Sequence, residues 1–273
     1  MDVVIRENER IDDLERNGYR IIQNSRRFCF GMDAVLLSGF VCEGETGSAW
    51  HNNSGAATRP VPENIRIADL GTGTGIIPIL LHGKLGIKNR KPEGDYGAAI
   101  KALEIQPEVH EMACRSVMLN DLQEDIEVVL GDIKEASALM GKGKFDVVTS
   151  NPPYMKHAKG LTNPDQSKAI SRHELMCTFD DVAREAAALL KSGGRFYLVH
   201  RPERLAELIC TLKEYRLEPK RIRLVHSFAD TEATMVLIEA ARGGKPFMKV
   251  EKPLIIYKEK GVYTEEILQI YNF

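Results

Sequence analysis

Ile67-Ala68-Asp69-Leu70-Gly71-Thr72-Gly73-Thr74-Gly75 is the stretch from which the rest of the chain can be read. A strand-like lead runs into three glycines at alternate positions, and the apolar run at residues 76–81 then opens a helix. Without Cβ atoms the backbone passes close to a ligand and can turn its amide N–H groups toward it. A dinucleotide fingerprint requires G-x-G-x-x-G, but the sixth position counted from Gly71 is Ile76. No G-x-x-x-x-G-K-[ST] occurs either. Spacing therefore argues against both a nicotinamide site and a Walker-type phosphate cradle.

Outward from this stretch, strands and helices alternate. Strands are predicted at residues 65–70, 99–104, 126–130, 145–150 and 195–200, and an antiparallel hairpin at 221–228 and 233–240 closes the series. Helices are predicted from Thr74, from Pro107, and at 178–191, where Thr178 and Asp181 form a capping box and Gly193-Gly194 a stop. Another amphipathic helix carries Leu205, Leu208, Ile209 and Leu212. This order predicts an α/β fold, a Rossmann-like doubly wound sheet of seven strands, mostly parallel, with helices on both faces and a small N-terminal hairpin and helix extension. Ligands of such sheets gather at the carboxyl ends of the strands. Gly71, Glu104, Asp132 and Asn151 fall there, one per successive strand. Glu104 is placed to accept from ribose hydroxyls, and Asp132 from an adenine amine; a helix cap is the alternative for Asp132.

The strand at 145–150 delivers a second motif, Ser150-Asn151-Pro152-Pro153-Tyr154. Two prolines donate no backbone hydrogen bond and hold the residue before each of them extended, so the turn is stiff. The carboxamide oxygen of Asn151 and the carbonyl of Pro152 can both accept from one planar amine, and Tyr154 offers a stacking face. That suits an exocyclic NH2 on a flat ring, adenine N6 above all. An N-P-P tripeptide can equally end a strand with no chemistry attached.

Composition narrows the choice little. The 273 residues are 43% hydrophobic and 28% charged, enough for one large core, and the formal charge of −2 disfavours an all-over basic nucleic-acid binder. Cys29, Cys42, Cys114, Cys177 and Cys210 form no C-x-x-C, so neither a disulfide frame nor a metal site is expected. The charged N-terminus and the lack of an 18-residue apolar run predict neither secretion nor a membrane span.

Taken together, D-x-G-x-G-x-G from Asp69 resembles the first motif of S-adenosyl-L-methionine (SAM) methyltransferases, and N-P-P-Y resembles the catalytic motif of their amino-methylating branch. The leader D-D-L-x-R-N-G-Y-x-I-I-Q-N-S-x-x-F-C-F-G-M-D-A-V-L-L, from Asp12 to Leu37, resembles that of the bacterial tRNA adenine-N6 methyltransferases that modify a valine tRNA beside its anticodon. The resemblance implies a class I methyltransferase fold, SAM as cofactor, tRNA as partner and a cytoplasmic enzyme. It also implies a cofactor site containing Phe30, Gly31, Asp33, Asp69, Gly71, Thr72, Gly73, Gly75, Glu104 and Asp132, with Asn151, Pro152 and Tyr154 catalytic. Phe30 and Asp33 would lie at the cofactor's amino acid end. A protein glutamine amide, a DNA adenine or an rRNA guanine amine would suit the same chemistry, and a non-catalytic SAM-binding RNA scaffold is a further alternative.

The remaining expectations concern organisation. Residues 1–42 read as an N-terminal extension, 43–64 as a linker, 65–242 as the catalytic domain and 243–273 as a tail of unread structure. Within the extension, residues 10–16 are expected to be helical or looped, 18–23 and 27–30 to form a hairpin, and Asp33 to cap the next helix. Candidate RNA-facing patches are residues 84–91 (Lys84, Lys88, Arg90, Lys91), residues 156–168 (Lys156, His157, Lys159, Lys168) and residues 220–223 with Lys213. The roles of Arg172, His173 and Glu174 stay open.

Overall fold

A computed structural model describes residues 3–26, 31–47, 61, 62, 64–87, 97–152 and 177–271. Its central element is a nine-stranded sheet. Five parallel strands carry the site: β3 (Ile67–Leu70), β4 (Ile100–Glu104), β5 (Ile126–Leu130), β6 (Phe145–Ser150) and β7 (Leu190–His200). They lie in the order β5-β4-β3-β6-β7, and β9 (Ala233–Arg242) and then β8 (Leu217–His226) extend the sheet antiparallel, as the hairpin pattern predicts. Two short segments of the tail, β10 (Lys249–Val250) and β11 (Leu254–Ile255), pair with the outer edge of β8. They bring the strand count from the expected seven to nine.

Both sheet faces are covered because the central strands are apolar on both sides, as Ile67 and Val147 on one face and Ala68 and Val148 on the other illustrate. One face carries α1 (Met32–Thr46) and α2 (Ile76–Leu85); the other carries α4 (Ala136–Met140), α5 (Phe179–Leu189) and α6 (Leu205–Glu214). Helix α3 (Pro107–Leu119) follows β4. Thr178 and Asp181 complete the expected capping box. Helix α5 ends at Leu189, two residues before the predicted end, and passes directly into β7 at Leu190; Gly193-Gly194 lie inside the strand at a register shift against β6. Pro219 likewise sits within β8 at a register shift, the kind of strand position at which proline is tolerated.

The N-terminal hairpin differs from expectation. Its strands are β1 (Glu9–Asp13) and β2 (Arg20–Asn24), so residues 10–16 are neither helical nor wholly looped, while 27–30 lie outside the described residues. The turn between them contains Asn17 and Gly18, both at positive φ (53° and 68°). The hairpin is held on α3: Ile22 N–H donates to Ser116 Oγ (3.1 Å), and Arg115 makes a bidentate pair with Glu9 (2.7 Å each). Asp33 does not cap α1. Gly31 occupies that position, and Asp33 lies in the first turn, where a negative charge favours the helix N-terminus. Helix α1 itself runs to Thr46, into the stretch expected as linker, and its Glu43 is buried beside Arg221 and Arg223. The tail continues as β12 (Tyr257–Glu259), β13 (Val262–Tyr263) and α7 (Glu265–Tyr271), which contributes Ile267 and Ile270 to the core over α1.

Candidate active site

The parallel register aligns four strand ends. Leu70 of β3 is opposite Leu103 of β4 and Ser150 of β6, and Glu104 is opposite Leu130 of β5. Gly71, Glu104, Gly131-Asp132 and Asn151 therefore leave the sheet along one rim, as the sequence order predicts.

Gly71, Gly73 and Gly75 all adopt positive φ (76°, 59° and 89°), a conformation an L side chain resists, so the turn into α2 depends on glycine. Contrary to expectation, several amides of this loop are spent within the protein. Gly71 and Thr72 donate to the Leu103 carbonyl (3.0 and 2.9 Å), and Gly73 donates to Glu104 Oε2 (3.0 Å). What remains for a ligand is different. A Cβ at Gly73 would enter open space, and two enclosed polar atoms beside it, Asp69 Oδ2 and Thr72 Oγ1, have no hydrogen-bond partner. Buried polar groups are rarely left so in the absence of a ligand or water.

Asp69 is fully buried, and its Oδ1 accepts from the Thr149 hydroxyl at 2.6 Å. Burial pushes its carboxyl up to about 6, against the pull of the Thr149 hydroxyl, and the charge of Glu104 adds to the rise. Glu104 is 5% exposed; its Oε1 accepts from the Gln106 N–H (2.9 Å) and, at 3.4 Å, from the Gln106 side-chain amide, and with the Gly73 bond on Oε2 it keeps a lone pair for a further donor. The Asp132 carboxylate caps the short turn after β5, accepting from Lys134 N–H (2.9 Å) through Oδ1. Both readings of Asp132 thus remain compatible, because Oδ2 is not used in the cap. Asn151 is half-buried and Pro152 buried, while Tyr154 and Phe30 lie outside the described residues, as do Arg172, His173 and Glu174.

Sequence reasoning missed Thr149 and Ser150. Both are fully buried at the end of β6, and two hydroxyls closing an apolar strand were the available signal. Of the expected basic patches, Lys88, Arg90 and Lys91 lie outside the described residues, while Lys84 and the 220–223 group have partners within the chain. Lys84 belongs to α2, donates to the Ile270 carbonyl (2.6 Å), and is brought down to about 7 by burial. Arg221 pairs with Glu239 (2.6 Å) and lies over the Phe40 ring, Arg223 pairs with Glu266 and Glu43, and Lys220 donates to the carbonyls of Lys245 and Phe247. Arg221 and Arg223 are thus engaged inside the fold, whereas the bonds of Lys220 lie at the surface. Residues 156–168 lie outside the described residues.

The pattern of the methyltransferase small domain matches residues 57–215, more than half of the chain. The chain belongs to the methyltransferase small domain family. Its cofactor is SAM, and it is a SAM-dependent methyltransferase. A Porphyromonas gingivalis protein named tRNA1(Val) (adenine(37)-N6)-methyltransferase is 29% identical over 88% of this chain and 86% of its own length. A Bacteroides thetaiotaomicron protein of the same name is 32% identical over 70% of this chain and 67% of its own. Among solved structures, that of a predicted O-methyltransferase from Agrobacterium tumefaciens superposes with a TM-score of 0.63 at 24% identity, over 88% of this chain and 96% of that one. That likeness supports the fold alone. The site fits the cofactor: an unpartnered buried carboxylate oxygen and hydroxyl, open room at Gly73, and an acid with spare lone pairs stand together at one helix N-terminus. Among the described residues no helix is long and apolar enough to cross a membrane, and no cluster could hold a metal ion.

Proposed function

We propose that this methyltransferase acts on the exocyclic N6 of an adenine in the anticodon loop of a tRNA. The observation that carries this reading is the single rim on which Gly71, Glu104, Asp132 and Asn151 leave adjacent strands, which brings the cofactor loop next to an amine-accepting turn. The names of the relatives favour tRNA adenine over a glutamine amide, a DNA adenine or an rRNA guanine.

In this reading Asp69 Oδ2 receives the cofactor's ammonium, with Asp33 and Phe30 near the same end. Glu104 accepts from the ribose hydroxyls, and Asp132 Oδ2 from the cofactor's adenine. Gly71, Thr72, Gly73 and Gly75 shape the floor. The cofactor supplies an electrophilic sulfonium methyl. Asn151 and the Pro152 carbonyl accept the two amine protons of the target base, drawing its lone pair out of the ring plane so that nitrogen becomes nucleophilic. The displacement then depends on alignment and on acceptors tuned to the transition state, and the proton leaves after transfer. Tyr154 receives the splayed base, which a loop nucleotide yields more readily than a paired one.

Asn151→Ala tests the assignment. It is expected to bind SAM within about threefold of the parent and to lose on the order of 10²–10³ in kcat, the scale of removing one preorganised polar group. Near-parental turnover would refute the role.

A further inference from the structure

Strands β3 and β6 are joined by more than their backbone ladder. Asp69 lies opposite Thr149, and Leu70 opposite Ser150. The Thr149 hydroxyl donates to Asp69 Oδ1 (2.6 Å), and the Ser150 hydroxyl donates to the Leu70 carbonyl (2.9 Å). All four residues are completely buried, and the chain departs immediately afterwards at Gly71 on one strand and Asn151 on the other. The two bonds therefore fasten together the roots of the cofactor loop and of the acceptor turn.

A carboxylate is planar, so the direction in which one oxygen is held sets the direction of the other. Asp69 Oδ1 is held by Thr149, and Oδ2 is the atom left without a partner. We propose that Thr149 is a positioning residue, which aims the free oxygen of Asp69 at the cofactor and ties that aim to the placement of Asn151. The proposal rests on the methyl-transfer reading of the site but not on the identity of the acceptor. Besides Thr149, the groups facing the carboxylate are the Thr72 hydroxyl and the ionisable Glu104.

If the proposal holds, the Thr149 donor stabilises the charged form of Asp69, the form that attracts an ammonium. SAM affinity of the parent, measured by calorimetry without nucleic acid, should then fall as pH drops through about 6. Thr149→Val keeps the side-chain shape and removes the hydroxyl. It is expected to move that midpoint upward by about one pH unit, since hydrogen bonds to charged groups are of that size. It should lower kcat by about tenfold while leaving the cofactor KM at alkaline pH within about threefold, because a misaligned clamp costs more in the transition state than in binding. Thr149→Ser should restore both, and Asp69→Asn should abolish the acid limb of binding. A Thr149→Val protein with the parent's midpoint and kcat would overturn the proposal, as would a Thr149→Ser protein that behaves like the valine variant. An Asp69→Asn protein that keeps the acid limb would overturn it too, and this arm stands even where the valine variant fails to fold. Because the binding arm uses SAM alone, its failure is distinct from failure of the tRNA assignment.

Discussion

Glu104 shows how one side chain can hold the site's shape and keep capacity for a ligand. Its two oxygens accept from Gly73 and Gln106 N–H groups, which fixes the carboxylate between the cofactor loop and the start of α3. A carboxylate has about four acceptor directions, so the same group can still receive one hydroxyl, and a second where the long contact from the Gln106 side chain (3.4 Å) gives way. Glu104→Gln replaces one acceptor oxygen by an NH2 that faces an existing donor. Calorimetry should show SAM binding weakened by about tenfold or more, with kcat at saturating cofactor changed by less than about threefold. Unchanged affinity would remove Glu104 from the cofactor site. Its place at a strand end was legible because glutamate there follows a buried run and precedes a proline. The unpartnered Asp69 Oδ2 was not legible, since whether a buried acid is satisfied depends on the neighbouring strand. The basic residues teach the reverse lesson: Arg221 and Arg223 read as a surface patch, but alternate glutamates on α1, β9 and the tail turn them inward.

At the scale of elements, local signals with a stated mechanism held best. The capping box at Thr178 and Asp181 forms with both reciprocal bonds, Thr178 N–H to Asp181 Oδ2 (3.0 Å) and Asp181 N–H to Thr178 Oγ1 (3.3 Å). Thr178→Ala should cost about 1 kcal/mol and lower the thermal midpoint by roughly 2–4 °C, measured by differential scanning calorimetry. An unchanged midpoint would mean that the helix start is fixed by packing instead. The strands at 126–130 and 145–150 are found where periodicity puts them. The β1 partner of the first hairpin was not foreseen because its apolar alternation is poor, and its burial comes from a salt bridge to α3 rather than from a core face. Asn17-Gly18 was the overlooked turn signal. The tail was unreadable for a related reason: β10 and β11 are two-residue strands whose register exists only against β8.

Across the whole molecule, α1 is tied to the outer strands β8 and β9 through a buried ionic cluster around Glu43, Arg221, Arg223 and Glu239. Burial pushes the Glu43 carboxyl up to about 7 despite the two arginines. A folded-state value above the unfolded one stabilises the fold at acid pH, and that contribution is lost as pH rises from about 4.5 through about 7. Glu43→Gln should remove this dependence, so its midpoint relative to the parent should rise by roughly 5 °C between pH 4.5 and 8 in thermal unfolding. A constant difference would show that the arginines fully compensate the buried charge. The cluster lies on α1, β8 and β9, not on the four strands whose ends gather the site, so the same variant should leave the chemistry of methyl transfer intact. That chemistry is tested most directly by incubating the purified protein with SAM and unmodified tRNA, digesting the RNA to nucleosides and identifying the product by mass spectrometry. The account predicts one N6-methyladenosine per tRNA, absent with Asn151→Ala; a methyl group on any other atom, or equal yield from the variant, would contradict it.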